Sequence, residues 1–171
     1  VTTSGTQTYT GATVLSTDVT LTTTDSNVTF SSTVDGDGTA RDLTIDTNGN
    51  TGTILFDGLV GNSNDLDAMT ITGNLDLDAA ISNTTSISVS GTSNLGANVT
   101  TSGTQTYTGN ATINGNRTLT TTNSNVTFSG TTNAASAGDT LTIAAGSGDV
   151  TFTGAVGGTT ALGNTTITTG A

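Results

Sequence analysis

The acidic side chains are the first place to look for chemistry in this chain. All 13 acids are Asp, the only cations are Arg41 and Arg117, and His, Lys, Glu and Cys are absent. Nucleophile-and-base catalysis draws on His, or on a Lys or Glu of tuned pKa. With none of the three available, no catalytic residue is assigned and an enzyme is not expected. The aspartates do fall in pairs two residues apart: Asp35 and Asp37, Asp65 and Asp67, Asp76 and Asp78. On a strand that spacing puts both carboxylates on one side. Asp76 and Asp78 flank Leu77 and are expected to face outward near Asp57. These three are the candidates for calcium, which takes six to eight oxygen ligands. Neither the EF-hand spacing nor the nonapeptide calcium repeat is present, and paired Asp also occur as plain solvated turn residues. No cofactor other than that calcium candidate is expected.

Hydroxyl groups are the second resource. Thr occurs 46 times, in outward pairs such as Thr20/Thr22, Thr70/Thr72, Thr118/Thr120 and Thr166/Thr168. A flat array of such pairs is a candidate surface for ice or glycans, although Thr ladders also form on strands for their β-propensity alone. Asp46, Ala144 and the Ser88/Ser90 pair interrupt the array. Seven N-x-[ST] sequons begin at Asn27, Asn83, Asn98, Asn110, Asn116, Asn125 and Asn164. Chance accounts for many in so Asn- and Thr-rich a chain.

Composition then sets the elements that must hold these groups. Branched Thr, Val and Ile favour pleated backbone, while the good helix formers are nearly missing, so the class is all-β. A net charge of −11 excludes a nucleic-acid partner, which needs clustered Lys or Arg. No apolar run approaches the ~20 residues of a membrane helix, so membrane insertion is not expected.

Two nested repeats define the architecture. VTTSGTQTYTG recurs letter for letter at 1–11 and 99–109, and the offset of 98 residues persists through TLTTTDSNVTFS and TLTTTNSNVTFS. The chain divides into a full unit, 1–98, read as about four coils, and a partial one, 99–171, read as about three. Within units a shorter motif repeats, anchored at Tyr9, Phe30, Phe56, Leu77, Tyr107, Phe128 and Phe152. Alternation around each anchor predicts inward residues at −2, 0, +2 and +4, with a column of small residues at +2 (Gly11, Ser32, Gly58, Ala79, Gly109, Gly130, Gly154). A second strand carries Leu21, Ile45, Ile71, Val89, Leu119, Ile143 and Ile167 inward. Motifs that copy one another fit stacked coils, not sandwich strands, because each coil buries its apolar edge only against its neighbours. The expectation is one continuous parallel β-solenoid of about seven coils of 21–30 residues, nested in the 98-residue unit. The 30-residue step from Leu77 to Tyr107 is expected to hold a larger loop around Leu95 or an irregular coil.

The phrases SGTQTYTGA, NVTFSGT, LTIAAGSGDVTFTGAVGGTTAL and TTITTG resemble the repeats of giant bacterial exoproteins, the filamentous-haemagglutinin-like adhesins of two-partner secretion and related autotransporter passengers. The resemblance implies a right-handed parallel β-helix, export across an outer membrane and an extracellular or cell-surface fibre. Val1 opens inside the repeat pattern, so the chain is expected to be a mature or excised segment. The expected partner is the molecule itself, by chain continuation or end-to-end stacking, with glycans or a host or neighbouring cell surface as further candidates.

Overall fold

A computed structural model describes residues 1–49 and 51–170. Among these the secondary structure is twenty short strands with no helix, and every strand pairing is parallel. Each coil has three sides joined by three corners, and three ladders run along the axis. The first side stacks Gln7–Tyr9, Val28–Phe30, Thr53–Phe56, Asn74–Leu77, Ser93–Leu95, Ala111–Ile113 and Thr132–Ala134. The second begins with Thr13–Leu15 and Val34–Gly36, continues through bridges at Val60 to Ile81, and then runs Val99, Leu119, Ile143, Ile167. The third stacks Leu21, Ile45, Ile71, Val89, Tyr107, Phe128 and Phe152. The strand Ile81–Val89 bends round a corner and belongs to both the second and third ladders. The result is a β-solenoid of about eight turns, roughly 38 Å long at ~4.8 Å per coil.

This is one coil more than the anchors predict, and most of the excess arises between Leu77 and Tyr107, an interval that spans one and two-thirds turns in place of one. Leu95 pairs with Leu77 below and Ile113 above, so the interval holds an ordinary coil and no large loop. These coils advance only 18 residues per turn, against 26 from Phe30 to Phe56. They escape the anchor pattern because their inward positions carry Leu and Ile in place of an aromatic ring.

The placement of the second repeat unit is a larger departure. Phe30, Phe56, Leu77 and Leu95 lie one to four turns above Tyr9 on the first side. Tyr107 does not continue that column; it stacks on Val89 of the third side. The 98-residue unit therefore spans four and two-thirds turns, not four, and its second copy sits one side back around the coil. Leu21 on the third side corresponds to Leu119 on the second, and Thr13 on the second to Ala111 on the first.

The core is thin and continuous. Thirty hydrophobic residues form one buried cluster from Leu15 to Ala145. Two aromatic stacks anchor it on different sides: Tyr9–Phe30–Phe56, with ring centroids 4.9 and 5.1 Å apart, and Tyr107–Phe128–Phe152, at 4.9 and 5.0 Å. Such near-parallel ring pairs contribute about 0.5–1.5 kcal/mol each beyond their burial. The small residues at +2 are corner positions. A Cβ on Gly109, Gly130 or Gly154 would lie 2.3–2.5 Å from the carbonyl oxygen of the glycine one coil below, closer than any real contact.

Candidate functional site

Corners are built from side-chain-to-backbone hydrogen bonds that climb from coil to coil. The Asn27 carboxamide oxygen accepts from the Thr53 N–H at 2.9 Å, Asn98 from Thr118 at 2.9 Å, Asn110 from Thr131 at 3.0 Å, Asn116 from Thr140 at 3.2 Å and Asn125 from Asp149 at 2.9 Å. Asn83 donates its amide to the Gly61 carbonyl at 3.1 Å. Six of the seven sequon asparagines are thus tied into the scaffold. Asp18, Asp35 and Asp42 serve in the same way, accepting from the N–H groups of Asp42, Ser63 and Ala68. Asp37 pairs with Arg41 at 2.9 Å, and the guanidinium holds its carboxyl below the ordinary range.

The calcium candidates do share one patch. Phe56 pairs with Leu77, which places Asp57 and Asp78 on adjacent coils just past the ends of their strands, with Asp76 on the strand that ends at Leu77. Partial burial, then repulsion from Asp76 and Asp57, raises the Asp78 carboxyl above its ordinary value. Asp76 accepts from the Asn94 amide at 2.7 Å. Among the described residues no group of three or more acidic, His or Cys side chains is arranged to hold a metal ion. The coil above this patch carries Asn94 and Gly96, in place of the Thr106 and Thr108 that anchor matching would put there.

The Thr-x-Thr pairs split between two sides. Thr20/Thr22, Thr44/Asp46, Thr70/Thr72 and Ser88/Ser90 lie on the third, whereas Thr118/Thr120, Thr142/Ala144 and Thr166/Thr168 lie on the second. The third side nevertheless stays hydroxylic to its end, because Thr106, Thr127 and Thr151 continue the ladder from Ser88.

Two polar residues that sequence reasoning passed over sit at the centre of the scaffold. Gln7 and Gln105 are the only Gln in the chain, each in the same Q-T-Y triplet. The fully buried Gln105 donates through Nε2 to Val99 O at 3.3 Å, Thr101 Oγ1 at 3.3 Å and Thr120 O at 2.9 Å, while its Oε1 accepts from the Tyr107 hydroxyl at 3.2 Å. Gln7 repeats the arrangement with Val1, Thr3, Thr22 and Tyr9. Rarity within a strict repeat was the available signal.

The outer surface carries a concavity at one corner. A groove of about 230 Å³ runs along the corner between the second and third sides, lined by Asp65, Asn83, Thr85, Thr100, Ser102 and Thr122 among others. Leu66, Thr84 and Thr101, stacked on three successive coils, form part of its lining and are buried.

These features define a parallel β-solenoid whose corners are braced by side-chain-to-backbone hydrogen bonds. No family model, curated protein or solved structure matches the chain.

Proposed function

We propose that the chain is a non-catalytic structural solenoid, a segment or subunit of an extracellular bacterial surface fibre or adhesin stalk. The observation that supports this most is the set of uninterrupted parallel ladders along the rod. The strands Gln7–Tyr9 and Thr13–Leu15 at one end, and Val150–Phe152 and Thr165–Thr169 at the other, each have a strand partner on one side only among the described residues. Unpaired strand edges are templates for further pairing, whether by more coils of one chain or by a second copy. The repeat phrasing of bacterial exoproteins supports the same reading. Its function is reach and stiffness, with the −11 charge opposing lateral association.

Electron microscopy of the native material tests the proposal. Long fibres with a meridional ~4.8 Å repeat are the expected result; isolated short rods at every concentration would overturn it. A second reading, ice binding, is favoured by the hydroxyl ladder of the third side. Thermal hysteresis with ice shaping would support it, and its absence at high protein concentration would dismiss it.

A further inference from the structure

The groove between the second and third sides has a structural cause. At this corner the chain takes nine residues from Val34 to Leu43 and nine from Val60 to Met69, but only six from Ile81 to Ile87 and six from Val99 to Gln105. Wide corners on the lower coils stand proud of narrow corners on the upper ones, leaving a ledge over a recess. The base of the recess is sewn by backbone bonds, Ser102 N–H to Thr84 O at 3.0 Å and Gly103 N–H to Thr85 O at 2.6 Å. Asn83 turns the narrow corner with φ of 50°, a left-handed conformation that Asn tolerates better than most residues.

What the recess offers is unspent hydrogen bonding. The hydroxyls of Thr85, Thr100, Ser102 and Thr122 make no hydrogen bond within the described residues, and the Asp65 carboxylate has neither an ion pair nor a side-chain hydrogen bond there. Each hydroxyl both donates and accepts, while an ionised carboxylate only accepts. That combination matches a ligand that is itself a dense array of hydroxyls. A carboxylate accepts from neighbouring ligand hydroxyls in charge-assisted bonds. Thr methyl groups and Ala40 supply apolar patches for C–H faces. Charge selects further. Asp65 carries no local counter-cation and the molecule bears −11 overall, so an acidic ligand is repelled.

We propose that this corner groove binds a neutral saccharide chain, laid along the solenoid axis with its hydroxyls paired to Asp65, Thr85, Thr100 and Ser102. The inference is independent of the fibre reading and identifies a corner recess, not the flat Thr ladders, as the glycan surface.

Equilibrium dialysis against maltotriose, cellotriose and N-acetylated chitotriose gives affinities whether the chain is dispersed or assembled. Trigalacturonate serves as the acidic counterpart. Nitrogen–proton correlation spectra of the dispersed chain locate the contact. At least one neutral trisaccharide is expected to bind with Kd on the order of 1 mM, shifting the Asp65, Thr85, Thr100 and Ser102 amides, with no binding by trigalacturonate. Asp65→Asn and Thr100→Val, both on the surface and checked for an unchanged melting transition, should each weaken binding about tenfold. The proposal is overturned if no neutral trisaccharide binds, if the shifts fall elsewhere, if trigalacturonate binds equally well, or if both variants bind as the parent does.

Discussion

At the scale of single residues, the buried polar groups make the sharpest predictions. Gln105→Leu keeps the volume but takes away the amide bonds to Val99 O and Thr120 O and leaves the Tyr107 hydroxyl without its partner inside the core; the unsatisfied hydroxyl makes the expected loss about 1–3 kcal/mol in urea unfolding. The same change at Gln7 should cost less, since its Tyr9 partner is only half-buried. The opposite sign is expected at Thr132. Its hydroxyl is buried without a partner among the described residues, so Thr132→Val should stabilise by about 1 kcal/mol. Tyr107 adds a pH dependence. Burial raises its phenol above the ordinary value, so the unfolded chain releases this proton first, near pH ~10. The folded state then holds the extra proton, and stability, fully present below that pH, falls as pH rises beyond it. Tyr107→Phe should flatten that alkaline loss. An alkaline limb of unchanged slope in the variant would assign it to another group.

At the scale of elements, each side and its corner behave as a local module. Asp25 and Asn123 are 98 residues apart in equivalent sequence and both adopt positive φ, 48° and 55°, yet they turn different corners. Thr23 and Thr121 brace those turns through the carbonyls of Ser26 and Ser124 at 2.6 and 2.5 Å. Corner glycines divide by what lies beneath them. Gly130→Ala would push a methyl into the Gly109 carbonyl, whereas nothing lies within 4 Å of a Cβ on Gly11. The first change is expected to cost about 1–3 kcal/mol and the second to stay within about 0.5 kcal/mol of neutral, both read by urea unfolding. This modularity explains what could be read in advance. The alternation around Phe30, Phe56 and Phe128 reports which side chains point inward, because that depends only on local pleating. It does not report which side of the coil a strand occupies, since the three sides use the same chemistry. The coil at Leu95 was hidden for a related reason: Ser93 and Leu95 fill inward positions without an aromatic ring. The acidic patch was legible because Asp76 and Asp78 flank Leu77 in one short stretch of extended chain, but the groove was not, because it arises from unequal corner lengths on separate coils.

At the scale of the whole molecule, the mismatch between repeat and coil governs how the surface is distributed. Were the 98-residue unit a whole number of turns, every Asp patch and Thr ladder would recur on one side of the rod, giving it a single chemically distinct face. The offset of one side per unit instead spreads each feature around the axis. A unit advances four and two-thirds turns, or about 22 Å at ~4.8 Å per turn, and three units make fourteen whole turns. The break in chain pattern at 1–22 and 99–120 is continuous with this path, since Val1 to Thr3 lie against Thr22 of the third side and Val99 against Leu119 of the second. A chain of three tandem units, tagged by Asn27→Cys and its equivalents with a compact electron-dense label, tests this screw by cryo-electron microscopy. Labels should step about 22 Å along the axis and move one side around the rod at each unit. Labels falling in a single line parallel to the axis would show that the coils close in whole turns per unit, and the screw would have to be abandoned.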